Sequence, residues 1–287
     1  MILNNFFQRT ITGAVFLVVM IGCIWYSFWS MAALFLVISV LGLWEFYSLV
    51  EKANVHLQKY LGIFSSMIFF VLFSLFSISI YEEVFGSFKF INFIVIIAMI
   101  PISFLFFSIM ELFRQKGNPL SNISISVVGI LYVVFPFSFL QIIAYHINEN
   151  ITPEYDSHLL LGYFFLIWSN DTFAYLVGRA IGKRKLLERI SPKKTWEGFI
   201  GGIILTQGVA YIISLYFTEL TMMQWFIVAA IVSVTGTLGD LVESMFKRSL
   251  GVKDSGTIFP GHGGILDRFD AVLLSSPFVV TYLLLIR

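Results

Sequence analysis

Nine long apolar runs constrain this chain more than any other feature of its sequence. They cover residues 11–28, 31–50, 61–81, 90–110, 123–145, 159–178, 199–217, 225–246 and 271–286. A helix needs about 20 apolar residues to cross the hydrocarbon core of a bilayer, and most of the runs have that length. Because 58% of the 287 residues are hydrophobic and 12% are charged, a soluble protein could not cover its surface with polar groups. The sequence therefore predicts an all-α, polytopic integral membrane protein with about nine transmembrane helices.

The basic residues predict which side of the membrane each loop occupies. With a cytoplasmic N-terminus, 16 of the 18 Lys and Arg residues fall in cytoplasmic segments, and only Lys89 and Arg287 fall on the outer face. The first two runs are separated only around Trp29 and Ser30, which predicts a tight turn there. We interpret the acids of the outer loops as solvated surface without chemistry: Glu82, Glu83, Glu149, Glu154, Asp156 and Glu219.

Two cytoplasmic stretches concentrate polar residues and glycines. They are residues 169–202 and 236–270, and together they hold 11 of the 18 basic residues and eight of the 17 acids. We therefore divide the chain into N-terminal transmembrane helices over residues 1–150, with about five spans, and a catalytic region over residues 151–287, with about four spans and polar loops. The net charge of +1 gives no reason to expect nucleic acid as a partner.

Carboxylates inside the predicted spans are the first candidates for a site. Asp171 and Asp240 lie roughly 10 Å below the cytoplasmic ends of their spans. Exposing such an acid to lipid costs about 2.5–3.5 kcal/mol, so each must face the protein interior, a partner or an ion. Glu243, Asp267 and Asp270 fall at the membrane level of Asp240. Oxygen ligands without a Cys or His cluster suit Mg²⁺, with a structural ion pair or helix N-capping as the alternative.

Glycines and lysines near these acids are candidates for phosphate binding. Glycines let the backbone N–H groups of the loop at 251–266 approach phosphate oxygens, unless the loop is merely flexible. They are Gly256, Gly261, Gly263 and Gly264. In the segment SPKKTWEG (191–198), Lys193 and Lys194 are phosphate ligands or a topology signal. Ser191 or Thr195 is a candidate cap for the following helix.

These two stretches resemble the phosphatidate cytidylyltransferase family, the CDP-diacylglycerol synthases. The decisive match runs without a gap over 27 residues: Ser244, Lys247, Arg248, Lys253, Asp254, Gly-His-Gly-Gly at 261–264 and Asp267-Arg268-Phe269-Asp270. The SPKKTWEG segment is similar to a second hallmark of the family, together with Asp171, Ala174-Tyr175 and Gly178-Arg179. The resemblance covers the C-terminal half, whereas the first 150 residues are similar only as a string of spans.

The resemblance implies a CTP-dependent nucleotidyltransferase that makes CDP-diacylglycerol and pyrophosphate from CTP and phosphatidate, for phospholipid biosynthesis. It also implies a requirement for Mg²⁺, a further monovalent cation such as K⁺, and a homodimer. We expect the metal ligands to be Asp240, Glu243, Asp267 and Asp270, and the catalytic residues to be Asp240, Asp267, Asp270 and Lys194. We expect substrate-binding residues at Asp171, Ser191, Lys193, Lys194, Thr195, Ser244, Lys247, Arg248, His262, Gly263 and Arg268.

The expected partners are CTP, phosphatidate and the lipid bilayer. The expected location is a bacterial cytoplasmic (inner) membrane, with the site on its cytoplasmic side. One alternative is a cytidylyltransferase that acts on another lipid phosphate, because different lipid tails would face the same apolar spans. A cation or proton transporter is a weaker alternative. Buried acids are common in ion pathways, but here they cluster at one face.

Overall fold

A computed structural model describes residues 2–81, 88–147, 153–256, 258 and 263–286. The helices follow the apolar runs because a backbone inside a bilayer must satisfy its own hydrogen bonds. They are α1 (Ile2–Tyr26), α2 (Phe28–Glu51), α3 (Lys59–Tyr81), α4 (Phe88–Leu112), α5 (Pro119–Gly129), α6 (Phe135–Ile143), α7 (Ser157–Ile181), α8 (Trp196–Tyr216), α9 (Met222–Ser249) and α10 (Leu266–Ile286). A π-helical turn, Ile130–Val134, joins α5 to α6. The short strands are β1 (Tyr145–Ile147), β2 (Pro153–Tyr155), β3 (Lys185–Leu187) and β4 (Ser191–Thr195).

Seven helical segments of the described chain are long and apolar enough to cross a membrane. They are Phe28–Glu51, Lys59–Ile78, Pro119–Ile143, Ser157–Ile181, Trp196–Tyr216, Met222–Ser249 and Leu266–Ile286. Two shorter apolar helices are Thr10–Tyr26 and Ile97–Leu112. Each predicted run therefore has a helical segment in the described residues, and the chain is an all-α integral membrane protein. The cytoplasmic position of the N-terminus remains a prediction.

The turn between the first two helices lies earlier than the sequence predicts. Ser27 separates α1 from α2, and its side chain accepts a hydrogen bond from the Ser30 N–H at 3.2 Å. The Ser30 hydroxyl donates to the Cys23 carbonyl at 2.6 Å. Because serine satisfies a free N–H of the new helix, the chain can turn without a polar loop.

The chain forms two compact units, each described here by itself. The first unit consists of Met1–Ile142, Ile147–Glu154 and Asp254–Leu266. Tyr47 lies in its core, and its hydroxyl donates to the Ser126 carbonyl at 2.6 Å. A Cβ on either Gly62 or Gly129 would lie 2.5 Å from the Tyr47 side chain. Glycines therefore let these helices approach closely, as is common in membrane proteins.

The second unit consists of Ile143–His146, Tyr155–Lys253 and Asp267–Arg287. The fully buried Trp225 packs against Gly162, where a Cβ would lie 2.4 Å from the indole ring. The Tyr163 and Ser275 hydroxyls are hydrogen-bonded at 2.6 Å and connect α7 to α10. Except for Asp254, which belongs to the first unit, this unit contains the acids of both predicted polar stretches. The functional division of the chain at residue 150 remains a prediction.

The SPKKTWEG segment forms part of a β-hairpin between α7 and α8. Strands β3 and β4 are antiparallel, with Lys185 opposite Thr195 and Leu187 opposite Ser191. Glu197, in the first turn of α8, accepts hydrogen bonds from two backbone N–H groups before β3, at 3.0 and 3.2 Å. The hairpin is therefore tied to the start of the helix that follows it.

Candidate active site

Three helices of the second unit carry the acids that the sequence predicts to form a site. Asp171 lies on α7, Asp240 and Glu243 lie on α9, and Asp267 and Asp270 lie at the start of α10. The Asp270 carboxyl group lies close enough to those of Asp171, Asp240 and Glu243 to interact with them electrostatically. Glu243 is in turn within electrostatic range of Asp267. The fold thus gathers carboxylates from three helices into one group.

Lys194 and Asp240 form an accessible ion pair in this group. The Lys194 Nζ lies 2.5 Å from the Asp240 Oδ2, and the two side chains are 28% and 33% exposed. Asp171 is within electrostatic range of both residues. The Ser244 hydroxyl, one turn after Asp240, donates to the Asp240 Oδ1 at 3.2 Å. Because the pair is accessible, an anion can compete for the lysine and a cation can compete for the aspartate.

Lys247 joins two other acids in a more buried arrangement. Its ammonium lies 2.5 Å from the Asp267 Oδ1 and also contacts the Glu243 carboxylate. The side chains of Lys247 and Asp267 are each 11% exposed, and that of Glu243 is 3% exposed. Removing one charge from such a buried group leaves the others uncompensated. Lys247 therefore has a structural role, and its contact with substrate remains a prediction.

The donor set of this group suits a hard divalent cation. The group has five carboxyl groups. Among the described residues, three of them form ion pairs with a lysine: those of Asp240, Glu243 and Asp267. Asp270 is half-buried and accepts a hydrogen bond at 2.7 Å from the backbone N–H of the next residue. Mg²⁺ is usually bound by one or two carboxylates together with substrate phosphates and water. The chemistry of these residues therefore fits Mg²⁺.

The predicted hairpin residues differ in how accessible they are. Thr195 is 6% exposed, and its hydroxyl accepts a hydrogen bond from the Gly198 N–H at 3.2 Å. Thr195 is therefore the N-cap of α8, which decides between the two capping candidates. Lys193 is exposed, and Ser191 is half-buried. Substrate contacts of all three hairpin residues remain predictions.

The other predicted substrate-binding residues follow α9 or begin α10. Arg248 is exposed and donates to the Val252 carbonyl at 3.2 Å. Arg268 is exposed in the first turn of α10. Gly263 has a φ of 86°, in the left-handed region where residues with a side chain are rare. His262 lies outside the described residues.

A second polar group in the same unit has the geometry of a metal site. One ligand atom from each of Asp156, His158 and Glu219 lies within 4.8 Å of the other two. The His158 Nδ1 is 2.8 Å from the Glu219 Oε1 and 3.2 Å from the Asp156 Oδ1. This arrangement is compatible with a divalent cation. The Glu219 side chain is only 8% exposed, so its interpretation as solvated surface is wrong.

Asp156 has a structural role as well, because it caps helix α7. Its side chain caps α7 by accepting a hydrogen bond from the His158 N–H at 2.8 Å. The Phe217 ring stacks on the His158 ring with a centroid separation of 4.8 Å. Burial raises the pKa of Glu219, and the neighbouring Asp156 carboxylate acts in the same direction. The group therefore combines a helix cap with a carboxyl that binds its proton more tightly than usual.

Sequence reasoning missed Glu45, an acid inside the second apolar run. Its side chain is 4% exposed, and its Oε2 accepts a hydrogen bond from the Leu266 N–H at 2.9 Å. Leu266 directly precedes Asp267 in the chain. A lone acid in an otherwise apolar run is the signal that could have identified it, because such an acid needs a partner in the membrane.

Several known proteins that are similar to this chain share a name. A relative from Staphylococcus haemolyticus (strain JCSC1435) named phosphatidate cytidylyltransferase is 51% identical over 124 residues, which are 42% of this chain and 47% of the relative. A relative of that name from Staphylococcus saprophyticus is 39% identical over 184 residues, 63% of this chain and 66% of the relative. Another from Haemophilus influenzae is 46% identical over 132 residues, 44% of this chain and 46% of the relative.

The chain thus spans about half the length of the first and third of these relatives. The model of the Cytidylyltransferase family, in contrast, matches residues 7–286. That match includes all of the acids gathered by α7, α9 and α10. The chain belongs to the cytidylyltransferase family.

Proposed function

We propose that this protein transfers the cytidylyl group of CTP to phosphatidate, which yields CDP-diacylglycerol and pyrophosphate. One observation carries the proposal: α7, α9 and α10 gather five carboxylates with Lys194 and Lys247. Family membership and the names of the relatives support the same reaction. We place the protein in a bacterial cytoplasmic membrane with this group on the cytoplasmic side, because the basic loops border it.

The position of the group within the helices suits one lipid and one soluble substrate. Measured along the helix axis, Asp171 lies about 15 Å from the C-terminal end of α7, and Asp240 lies at a similar distance from the C-terminal end of α9. Asp171 is exposed there. Phosphatidate can keep its acyl chains in the bilayer while its phosphate reaches this level, and CTP enters from the cytoplasm.

The proposed reaction is an in-line displacement at the α-phosphorus of CTP. A phosphate oxygen of phosphatidate forms the new P–O bond, the bond between the α- and β-phosphates breaks, and pyrophosphate leaves. The second pKa of a phosphomonoester is about 6, so phosphatidate is largely dianionic at neutral pH. No side chain has to remove a proton, which suits a group made of carboxylates and lysines.

The main obstacle is to bring two polyanions together. Asp240, Glu243, Asp267 and Asp270 would hold Mg²⁺, which when bound neutralises charge on the nucleotide phosphates. Lys194 is accessible enough to exchange its contact with Asp240 for a phosphate oxygen. A monovalent cation and a homodimer remain expectations from the family resemblance.

Purified protein in mixed micelles with CTP, Mg²⁺ and phosphatidate tests the proposal. We expect equal amounts of pyrophosphate and CDP-linked lipid, and neither product when diacylglycerol replaces phosphatidate, because diacylglycerol lacks the attacking phosphate. An ether-linked isoprenoid phosphate in a parallel reaction tests the other lipid substrate. Turnover of that lipid alone would overturn the choice of phosphatidate, and turnover of neither lipid would overturn the reaction.

A further inference from the structure

Glu45 is a buried acid of α2 that meets the start of α10 within the first unit. Its Oε2 accepts the Leu266 N–H at 2.9 Å across 221 residues of sequence. Leu266 is the first residue of α10, and the first N–H groups of a helix have no acceptor within that helix. A carboxylate at this end is also favoured by the helix dipole. Glu45 therefore caps α10 from a distant helix.

Two described glycines that precede α10 lie close to the same carboxyl group. A Cβ on Gly256 would lie 1.7 Å from the Glu45 Oε1, and a Cβ on Gly264 would lie 1.8 Å from that atom. A side chain at either position would force the buried Glu45 carboxyl group to move away from its present place. This differs from the sequence interpretation, because at these two glycines the backbone faces the Glu45 carboxyl group.

Apolar contacts hold the same junction. Ile265 and Leu266 are 1% and 2% exposed. A Cβ on Gly42 would lie 3.5 Å from the Ile265 side chain and 3.6 Å from the Leu266 side chain. Gly42 and Glu45 are three residues apart and so share a face of α2. One face of α2 thus holds the end of the loop through both apolar and polar contacts.

We infer that Glu45 is a positioning residue that sets the direction of Asp267 and Asp270. Asp267 follows Leu266 in the chain, and Asp270 lies one turn later on α10. The direction in which α10 begins therefore decides where both carboxylates point. This inference rests on the proposed function, in which these two acids hold the cation. Glu45 acts through the loop and the helix start, without touching the substrate or the ion.

Three variants test this role. Glu45→Gln keeps an acceptor oxygen but removes the charge, and Glu45→Ala removes both. Glu51→Gln is the matched control, because Glu51 lies on the same helix but its side chain is 39% exposed. The measurements are the Mg²⁺ concentration for half-maximal CDP-lipid synthesis, the KM for CTP, and hydrogen exchange of the peptide covering residues 254–266.

Loss of a group that orients a metal ligand typically costs about 10–100-fold in metal affinity or activity. We therefore expect Glu45→Gln to raise the half-maximal Mg²⁺ concentration about tenfold and Glu45→Ala to raise it further. Both variants should speed hydrogen exchange in the 254–266 peptide, while Glu51→Gln should match the wild type in every measurement.

Hydrogen exchange without substrate separates this inference from the proposed function. If the wild type makes no CDP-lipid, the proposed function fails, and faster exchange in the Glu45 variants still supports the positioning of the loop. If the Glu45 variants lower only the yield or the melting temperature, the role is merely structural. Wild-type Mg²⁺ dependence together with wild-type exchange in both Glu45 variants would overturn the inference.

Discussion

The second unit contains two acidic groups that balance their charge in different ways. The lysine-paired group consists of Asp171, Lys194, Asp240, Glu243, Lys247, Asp267 and Asp270, and the histidine group consists of Asp156, His158 and Glu219. Each group includes an acid of α7. Asp156 caps the first turn of this helix, and Asp171 lies about 22 Å further along the helix axis. In the first group the partners of the acids are lysines, whereas in the second the partner is a histidine.

The comparison teaches what each group is equipped to bind. Five carboxyl groups meet two lysines in the lysine-paired group, so carboxyl oxygens remain that could bind a divalent cation. In the histidine group, the N-terminus of α7 already stabilises Asp156. Among the described residues, the histidine group has ligand atoms close enough together to hold a cation. The lysine-paired group is instead the one whose residues include Lys194, Lys247, Asp267 and Asp270 of the motifs that carry the family resemblance. Variants of the two groups can therefore separate a catalytic ion from a structural one.

The largest expected effect comes from the predicted metal ligands. Asp267→Asn or Asp240→Asn should lower CTP turnover by at least about 100-fold, because loss of a group that merely supports a ligand already costs 10–100-fold. Glu219→Gln should leave turnover and its Mg²⁺ dependence near wild type. Initial rates of pyrophosphate release across a Mg²⁺ series measure both. If Glu219→Gln removes the Mg²⁺ dependence and Asp267→Asn does not, the two groups have been assigned the wrong way round.

Within the lysine-paired group, the buried lysine should matter most for stability. Lys247→Ala removes the ammonium group that contacts Glu243 and Asp267, and breaking a buried ion pair in this way costs about 3–5 kcal/mol. The accessible pair of Lys194 and Asp240 should contribute at most about 1 kcal/mol. Thermal unfolding in detergent compares Lys247→Ala with Lys194→Ala. Equal losses would show that burial does not distinguish the two lysines.

Lys194 should matter more for substrate than for stability. A hydrogen bond to a charged group contributes about 1.5–3 kcal/mol, so Lys194→Ala should raise the KM for CTP by roughly tenfold or more. Lys185→Ala is the control, because it removes the same charge from the same hairpin. If both variants raise the KM equally, Lys194 contributes only to the general positive charge of the loop.

The smallest expected effect is a change in the pH dependence of stability. The raised pKa of Glu219 means that the folded state binds this proton more tightly than the unfolded state does. Its contribution is therefore present at low pH and is lost as the pH rises from about 4.5, the ordinary value, through the raised pKa. Glu219→Gln should flatten the fall in melting temperature over that window. Glu188→Gln, at an exposed acid, should follow the wild-type curve.

The helices could be predicted from the sequence because the thickness of a bilayer fixes the length of an apolar run. The break at Ser27 could not be placed, because apolar residues flank it on both sides and a single hydrogen bond to the Ser30 N–H decides it. The hairpin was also missed. Glu197 connects it to α8 by accepting hydrogen bonds from N–H groups 13 and 14 residues earlier in the chain, a contact that no local pattern indicates.

The acids of the second unit and Glu45 also differ in how easily the sequence identifies them. Asp267 and Asp270 stand in a local motif, and their neighbours in sequence mark them. Glu219 has no such local signal, since its partner lies 61 residues away. Glu45 is marked as a lone acid in an apolar run, but its partner, the Leu266 N–H, lies 221 residues away and is revealed only by the tertiary structure.

The bond between Glu45 and Leu266 has a consequence for biosynthesis. At about 5–20 residues per second, a ribosome needs roughly 10–45 s to make the 221 residues between these two positions. During that time α2 carries its acid without the N–H that it later caps. Residues 254–266 belong to the first unit, so this unit is completed only after they have left the ribosome. The helices of this unit that are made early therefore lack part of their final packing until residues 254–266 follow.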